Sequence, residues 1–298
     1  MIDSGLPGRD ALNLVCAEFG VPGTENAVLL HSRSNAVWRV GPSVVRLAPD
    51  TEVRRRRAVA AVAVTRWLTD LGGGIALRPL AGAQPVVGGG AVATFWPYRP
   101  TRDLIGPADL GRLVRALHAA GDPPATAPIP TYEPLMRLGE ALDIDDHRTI
   151  PALSGSDRGW LRERAAELVA AYADMQWPLG IGLIHADAHS GNAVREVGTW
   201  ALIDWDGTSI GPRELDLVGI VPDHFHEPGS YRTQFAAAYG YDLLAWPGWI
   251  LLRDLIELHS IGSYIRMAPT KPAAASELHS RVRSLRSGDR SVLWHPVS

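Results

Sequence analysis

The residues that could do chemistry are concentrated between positions 181 and 216. Two short apolar runs in this segment, 182–184 and 200–203, each end abruptly in polar residues, as strands that lead into a site do. Three side chains with oxygen donors follow these runs: Asp187, Asn192 and Asp204. Because the backbone at a strand end is held in place, we interpret this segment as a candidate catalytic site.

The order and spacing of these oxygen donors fit phosphoryl transfer. This reaction requires metal ions that bridge phosphates and a carboxylate that orients the attacking hydroxyl. Asp187 would orient or accept the hydroxyl proton. Asn192 and Asp204 would hold Mg²⁺, a hard cation that prefers oxygen ligands. The segment therefore predicts a kinase-type active site.

Three motifs in this segment resemble those of the aminoglycoside phosphotransferase family, which has a protein-kinase-like fold. The His-Ala-Asp at 185–187, with Asn192 behind it, resembles the family's His-Gly-Asp-x4-Asn loop, and alanine stands in place of the glycine. The Ile-Asp-Trp at 203–205 resembles the metal loop, and 211–217 resembles the Gly-Pro-x-x-x-Asp-Leu segment. The resemblance implies an α+β, two-lobed fold with a small antiparallel β lobe and a larger, mainly helical lobe.

The function that this resemblance implies is transfer of the γ-phosphate of ATP or GTP, with Mg²⁺, to a hydroxyl of a small molecule. Aminoglycosides, other antibiotics such as macrolides and peptides, amino sugars and choline-like alcohols all remain open as acceptors. The resemblance extends over about residues 27–267 and divides the chain into a nucleotide-binding lobe at 1–96 and a catalytic and substrate-binding lobe at 97–298. The oligomeric state and the choice between ATP and GTP remain open.

Two other functions are compatible with the same residues. His185, Asp187 and His189 could form a transition-metal cluster, since imidazole and carboxylate bind zinc or iron, and would then make a metal-dependent hydrolase. A nucleotide-binding module without efficient catalysis is the third hypothesis. Mg²⁺-dependent nucleotide binding separates the hydrolase from the other two, and turnover separates the kinase from the module. For His185 taken alone, bracing of the loop is the favoured role.

The composition excludes several classes of partner. The net charge of −3 over 298 residues argues against nucleic-acid binding. The single cysteine, Cys16, forms no internal disulfide and fits a reducing compartment. No run approaches the length of a membrane span, and the first residues lack the features of a signal peptide. We therefore expect a cytoplasmic enzyme with a small-molecule substrate and neither a nucleic-acid nor a membrane partner.

Lysine usage limits how nucleotide phosphates can be bound. Lys271 is the only lysine, so an arginine must take the role that a strand lysine has in kinase-like folds. Arg46 lies in the strand-like run 43–47, where the family places its phosphate-binding cation, and its burial requires an anionic partner. The family has a glutamate near Ala61 for this purpose. Only Glu52 is available in the predicted helix, so either Glu52 or a neighbouring aspartate substitutes, or the arginine is held in another way; Glu52 is the acid that we propose.

Two further regions carry predicted nucleotide contacts. The loop at 31–35 lies where the family covers the phosphates, and run 91–98 resembles the last small-lobe strand and the hinge that pairs with the adenine edge. The predicted nucleotide-binding residues, besides Arg46, are Ser34, Asn35, Phe95, Trp96 and Tyr98. Because aminoglycosides are polycations, candidate substrate residues are mostly acidic: His189, Asp206, Asp223, Asp254 and Glu257. For Asp254 and Glu257, a structural ion pair is the favoured alternative.

Periodicity predicts the elements that position these residues. Strands are expected at 27–31, 36–40, 43–47 and 91–98. Helices are expected at 8–19, 52–71, 107–120, 158–175, 230–239, 247–267 and 276–286, and 122–134 reads as an irregular loop. The four arginines at 54–57 are interpreted as a solvated helix face rather than a binding patch. His118 is interpreted as a core histidine.

Overall fold

The small lobe is built on one antiparallel sheet. A computed structural model of the protein describes residues 6–32, 34–100 and 103–297. The sheet has five strands in the order β1-β2-β3-β5-β4. The strands are β1 (Val28–Ser32), β2 (Ala36–Val40), β3 (Ser43–Pro49), β4 (Val86–Gly88) and β5 (Ala91–Pro97). Alternation of buried and half-exposed residues along β3 shows that one face of the sheet is turned to a core.

Two helices pack against this sheet. Helix α1 (Arg9–Phe19) contacts β4 and β5, and helix α2 (Glu52–Asp70) contacts β5 and the large lobe. The hydroxyl of Thr51 accepts a hydrogen bond from the backbone N–H of Arg54 at 3.3 Å and caps the start of α2. The sheet and its helices therefore form a rigid support for the loops that follow β1 and β3.

The large lobe is mainly helical. Its helices are α3 (Pro107–Ala119), α4 (Met136–Asp146), α5 (Gly155–Ala173), α6 (Gly229–Tyr239), α7 (Trp249–Met267) and α8 (Pro272–Ser287). Two small antiparallel pairs carry the catalytic segment: β6 (Ile181–Ile184) with β9 (Ser209–Pro212), and β7 (Ala193–Glu196) with β8 (Thr199–Leu202). Both pairs place their buried residues in the core under the helices, so the loops between them are fixed at both ends.

The lobes are joined by backbone contacts as well as by the chain. The N–H of Leu202 in β8 donates to the carbonyl of Ile75 at 2.8 Å, and the N–H of Leu77 donates back to the carbonyl of Leu202 at 3.3 Å. Arg99, just after β5, forms an ion pair with Glu196 of β7. The catalytic segment is therefore attached to the small lobe on the side of β8.

The sequence predicted most of these elements, with small differences at their ends. Helix α4 was not predicted, and the segment 213–220 forms a 3-10 helix. The segment between α2 and β5 contributes one short strand, β4. Within the described part of the chain, none of the helices combines the length and apolarity that a bilayer crossing requires.

Candidate functional site

A buried carboxylate holds the catalytic loop. Asp216 accepts hydrogen bonds from the backbone N–H groups of His185, at 2.8 Å, and Ala186, at 2.7 Å. The same carboxylate lies 3.1 Å from Nε2 of His118, whose Nδ1 is 2.8 Å from the hydroxyl of Tyr239. His118 is thus a buried histidine with both ring nitrogens bonded, as expected. Asp216, which the motif at 211–217 contains but to which the sequence gave no role, fixes the loop backbone.

His185 connects the catalytic loop to the metal loop. Its Nε2 lies 2.9 Å from the carbonyl oxygen of Ile203, and its ring packs on Trp205 with a centroid distance of 4.6 Å. The residue is fully buried. These contacts support the bracing role favoured by the sequence. Across residues 6–32, 34–100 and 103–297, no three His, Cys, Asp or Glu side chains form a metal-binding group, so the geometry gives the hydrolase hypothesis no site.

Two loop residues adopt left-handed backbone conformations. Ala186 has φ of 61° and Asp204 has φ of 64°. This conformation costs a residue with a side chain roughly 1–2 kcal/mol, and such strain is concentrated at functional sites. Ala186 occupies the position of the family's glycine, the residue that adopts this conformation without strain. The strain is maintained by the hydrogen bonds that Asp216 accepts from this loop.

Asp187 and Asn192 are in direct contact. The Nδ2 of Asn192 donates to the backbone oxygen of Asp187 at 2.9 Å and to its Oδ2 at 3.0 Å, and Nε2 of His189 lies 3.7 Å from Oδ1 of Asp187. The Asp187 side chain is 58% exposed, yet protein surrounds it, as expected for a residue lining a cleft. Desolvation, opposed by His189 and reinforced by Asp204, raises the pKa of the Asp187 carboxyl.

Arg46 forms ion pairs with two carboxylates of the metal loop. Its Nη2 lies 2.8 Å from Oδ1 of Asp204 and 2.9 Å from Oδ2 of Asp206. Burial alone would lower the pKa of this guanidinium, but the negative charges of Asp206 and Asp204 outweigh burial and raise it. Conversely, burial opposes ionisation of Asp204, and the charge of Arg46 holds the pKa of that carboxyl below its usual value.

The prediction that Glu52 is the partner of Arg46 is wrong. Glu52 lies in the first turn of α2, is 67% exposed and pairs with Arg56 one turn later at 2.8 Å. Asp206 supplies the acid instead, and its Oδ2 also accepts a hydrogen bond from Nδ2 of Asn35 at 2.6 Å. Asp206, predicted as a substrate residue, therefore connects the metal loop of the large lobe to the β1–β2 turn and to β3 of the small lobe.

The oxygens left free in this arrangement suit a divalent metal. Among the described residues, no hydrogen bond or ion pair uses Oδ1 of Asn192 or Oδ2 of Asp204. One amide oxygen and one carboxylate oxygen form a hard donor set that matches Mg²⁺ and not a thiophilic metal. The predicted metal ligands are therefore chemically consistent with magnesium.

The residues predicted to contact the nucleotide differ in whether the structure leaves them accessible to a ligand. Ser34 is exposed in the β1–β2 turn, and Asn35 is buried against Asp206. The prediction for Phe95 is wrong. Its side chain is fully buried and stacks on Phe19 at 4.0 Å, its N–H donates to Oε1 of Gln84 at 2.8 Å, and its carbonyl accepts from the N–H of Leu80 at 2.9 Å. Phe95 has therefore no exposed group with which to bind an adenine edge.

The two remaining hinge residues are also engaged by the protein. Trp96 is buried and donates from Nε1 to Oγ1 of Thr94 at 2.9 Å. The N–H of Tyr98 donates to the carbonyl of Pro42 at 2.7 Å, and the guanidinium of Arg39 lies 4.2 Å from its ring centroid. A nucleotide role for Trp96 and Tyr98 stays a prediction.

Two of the predicted substrate residues belong to an ion-pair network. Asp254 pairs with Arg164 at 2.8 Å and with Arg290 at 2.8 Å, and Glu257 is only 1% exposed and pairs with Arg290. Glu257 is enclosed and neutralised, so the substrate prediction for this residue is wrong and the ion-pair alternative applies. Asp254 is partly exposed and paired with arginines, as the ion-pair alternative expects, and its substrate role stays a prediction. Asp223 is half-buried and accepts from the N–H of Phe225 at 2.8 Å. A substrate role for Asp223 and His189 stays a prediction.

The arginines at the start of α2 do not form a uniform solvated face. Arg55 and Arg56 pair with carboxylates at the surface, as expected. Arg54 and Arg57 are half-buried, and Nη1 of Arg54 lies 3.4 Å from Oδ1 of Asn35. The interpretation of residues 54–57 as solvated is therefore wrong for two of the four. Helical periodicity cannot tell which of four successive arginines turns inward.

Comparison with known proteins shows a family. The APH model, described as the phosphotransferase enzyme family, matches residues 27–252 of the chain. A glucosamine kinase from Streptacidiphilus jiangxiensis is 30% identical over 148 residues, which cover 44% of this chain and 32% of that protein. The chain thus spans about a third of the length of this curated relative.

Solved structures show the same fold. The amicoumacin kinase hAmiN, solved in complex with AMP-PNP, Ca²⁺ and Ami, matches with a TM-score of 0.68 at 15% identity, over 91% of each chain. A microcompartment-associated aminopropanol kinase matches with a TM-score of 0.64 at 18% identity, over 94% of this chain and 97% of that one. At these identities the likeness establishes the fold alone, and the predicted two-lobed, kinase-like fold is confirmed.

Proposed function

The chain belongs to the phosphotransferase enzyme family, and on that premise we propose that it transfers the γ-phosphate of ATP or GTP to a hydroxyl group of a small molecule. The observation that carries this proposal is the meeting of the two loops with β3. The carboxylate of Asp187, the free oxygens of Asn192 and Asp204, and the guanidinium of Arg46 are brought together there. These are the parts that positioning and charge stabilisation of a phosphoryl group require.

Asp187 is the residue that acts on the acceptor. Its carboxylate accepts the hydroxyl proton while the acceptor oxygen forms a bond to the γ-phosphorus, and the bond from that phosphorus to the bridging oxygen of the nucleoside diphosphate breaks. The hydrogen bonds from Asn192 hold the carboxylate in one orientation. Desolvation raises the pKa of Asp187, which makes it a better proton acceptor than a fully solvated carboxylate.

The other residues of the site bind the phosphates. Asn192 and Asp204 would hold Mg²⁺, which when bound neutralises charge on the phosphate oxygens. Arg46 uses Nη2 for its two carboxylates, and no hydrogen bond within the described ranges uses its Nη1. We assign Nη1 to a phosphate oxygen of the nucleotide. Because Asp206 supplies an acid for this arginine, the absence of a glutamate near Ala61 is no reason to expect a nucleotide-binding module without catalysis.

The names of the relatives support a small hydroxyl compound as the acceptor. The names of the similar proteins specify glucosamine, amicoumacin and aminopropanol kinases, and one of these was solved with AMP-PNP and Ca²⁺. We extend from them to this chain only the shared chemistry, a nucleotide with a divalent metal and a small hydroxyl compound.

The proposal is tested by turnover. Purified protein is incubated with Mg²⁺, with ATP or GTP, and with a panel of small hydroxyl compounds, and release of the nucleoside diphosphate is measured. We expect release that depends on one or more acceptors and is absent in Asp187→Asn. Asp143→Asn, which changes a surface carboxylate of α4 that pairs with Arg162, is the matched control and should retain activity. Failure of the wild-type protein to bind non-hydrolysable analogues of both ATP and GTP in the presence of Mg²⁺ would contradict the proposal.

A further inference from the structure

Basic side chains from three helices come together near the catalytic loop. Helix α2 contributes two inward-turned arginines, α4 contributes one, and α7 contributes an arginine and a histidine that is uncharged at neutral pH. They are Arg54, Arg57, Arg137, His259 and Arg266. The sequence predicted the opposite, an acidic surface suited to a polycationic acceptor.

The helices place these groups side by side. Helices α4 and α7 pack closely, since a Cβ added to Gly262 would lie 3.2 Å from the backbone oxygen of Arg137. His259 and Arg266 lie three residues before and four residues after Gly262, so all three share the face of α7 that meets α4. The contact is visible at its end, where Nη2 of Arg266 lies 3.1 Å from Oε2 of Glu140.

The charges of this cluster reach each other and the catalytic carboxylates. Desolvation, followed by the charges of Arg137 and Arg54, lowers the pKa of Arg57 to about 10. Desolvation, followed by Arg137 and Arg57, lowers the pKa of His259 to about 4. The charge of Arg137 also acts on Asp187 and Asp204. Arg137 is therefore close enough for its charge to act on both the helix arginines and the catalytic carboxylates.

Two of these arginines lack a partner. Arg57 and Arg137 are both half-buried, and within the part of the chain that the structure describes neither guanidinium makes a hydrogen bond or an ion pair. Glu140 lies near them, but its carboxylate is paired with Arg266. Partly desolvated guanidiniums that repel one another are costly, and an oxyanion between them would remove that cost.

We propose that the acceptor carries an oxyanion, a carboxylate or a phosphate, which Arg57 and Arg137 bind while its hydroxyl faces Asp187. This inference rests on the proposed function and specifies its substrate class. The phosphate side of the site already has Arg46 and the predicted metal ligands, which leaves the helix arginines for the other substrate. A polycationic acceptor would be repelled by the same cluster.

The experiment uses four compounds with one three-carbon diol framework. Glycerol is neutral, glycerate and glycerol 3-phosphate are anionic, and 3-amino-1,2-propanediol is cationic. Binding of each to the full chain, loaded with Mg²⁺ and a non-hydrolysable ATP analogue, is measured by isothermal titration calorimetry. We expect at least one anionic compound to bind about tenfold or more tightly than glycerol, and the cation to bind no better than glycerol.

Variants decide whether the named arginines are responsible. Arg57→Gln and Arg137→Gln should each weaken binding of the anion by about tenfold and leave glycerol unchanged. Arg57→Lys, which retains the charge, should recover part of the loss and excludes misfolding as the cause. The matched control is Arg56→Gln, since Arg56 neighbours Arg57 on α2 but is 76% exposed, and it should bind the anion as the wild type does.

Other outcomes overturn the inference. If the anions bind no more tightly than glycerol, the acceptor carries no oxyanion that these arginines recognise. If the variants lose affinity for the ATP analogue and not for the anion, the arginines bind the nucleotide instead of the acceptor. A wild-type protein that binds no nucleotide refutes the proposed function. Nucleotide binding without any preference for anions refutes only the substrate class.

Discussion

Arg46 and Arg57 are two partly buried arginines of the small lobe with opposite surroundings. Arg46 lies on β3 and has carboxylates 2.8 and 2.9 Å from one of its nitrogens. Arg57 lies on α2 and, among the described residues, has no hydrogen-bonding or ion-pair partner. The first charge is compensated by the fold itself. The second remains to be compensated by a ligand, so the pair shows how the same residue type can serve structure and recognition a short distance apart.

The largest expected effect is on turnover, and it comes from the catalytic carboxylate of Asp187, whose site both arginines serve. Asp187→Asn should reduce kcat by about 10²–10⁴, because proton acceptance is lost, and should leave nucleotide affinity almost unchanged. Steady-state kinetics and titration with the ATP analogue measure the two quantities. Equal losses in turnover and in nucleotide affinity would instead make Asp187 a metal ligand or a structural residue.

Removing the compensated arginine should mainly affect the nucleotide. Arg46→Ala should weaken binding of the ATP analogue by roughly 1.5–3 kcal/mol, the value of a charge-assisted hydrogen bond. Arg46→Lys should restore only part, because a single ammonium replaces a planar group with three donor nitrogens. Calorimetric titration decides the matter, and an unchanged affinity in Arg46→Ala would remove this residue from the phosphate site.

The identity of the acid that serves Arg46 can be tested separately. Asp206→Asn should lower the free energy of unfolding by roughly 1–2 kcal/mol, since it removes a charged partner from a largely buried arginine and leaves Asp204 in place. Glu52→Gln is the matched control and should change the free energy of unfolding by no more than about 0.5 kcal/mol, because an exposed ion pair contributes little to stability. Urea denaturation of both variants measures this, and the reverse order would restore Glu52 as the partner.

The net positive charge around the two unpartnered arginines can be increased by removing a nearby carboxylate. Glu140→Gln removes the carboxylate that pairs with Arg266, and anion binding should tighten by about two- to fivefold, as expected for a partly exposed charge. Titration with glycerol 3-phosphate measures the change. Asp143→Asn, on the same helix but paired with Arg162 at the surface, should leave it unaltered. Weaker anion binding in Glu140→Gln would mean that Glu140 orients the cluster.

The smallest expected effect is on stability, and it comes from the strained catalytic loop at Ala186. Ala186→Gly should raise the free energy of unfolding by roughly 0.5 kcal/mol, because relief of the left-handed conformation slightly exceeds the added entropy of the unfolded chain. Thermal denaturation of the variant beside Ala188→Gly, a change at a buried position nearby, provides the comparison. A loss of stability in Ala186→Gly would show that its methyl group contributes packing that outweighs the strain.

The sequence predicted those parts of the site whose residues are close together in the chain. Asp187, Asn192 and Asp204 could be named because a loop and the turn after the next strand carry them in a fixed order. The partner of Arg46 could not be named, because Asp206 lies 160 positions away and only the sheet and the metal loop bring the two together. Local spacing contains no information about such a contact.

Among the helices, too, those with a local sequence pattern were predicted and the one that depends on tertiary packing was not. The long amphipathic helices were predicted because their apolar residues recur every turn. Helix α4 contains Gly139 and several aspartates, which lower helix propensity, and its stability comes from packing against α7. Since Arg137 lies on that helix, the unpredicted element also supplies one of the two unpartnered arginines of the basic cluster.

The ion pairs of Arg46 have a mechanical meaning. Nη2 of its guanidinium is attached to the large lobe through Asp204 and Asp206, and Nη1 is the nitrogen that we propose for the nucleotide. A hinge motion that separates the lobes would therefore pull on the same rigid plane that holds the proposed phosphate contact, so the angle between the lobes and the position of the phosphate would vary together. A lysine would have to make both contacts from the single nitrogen of its ammonium group and could not hold them at two ends of a rigid plane.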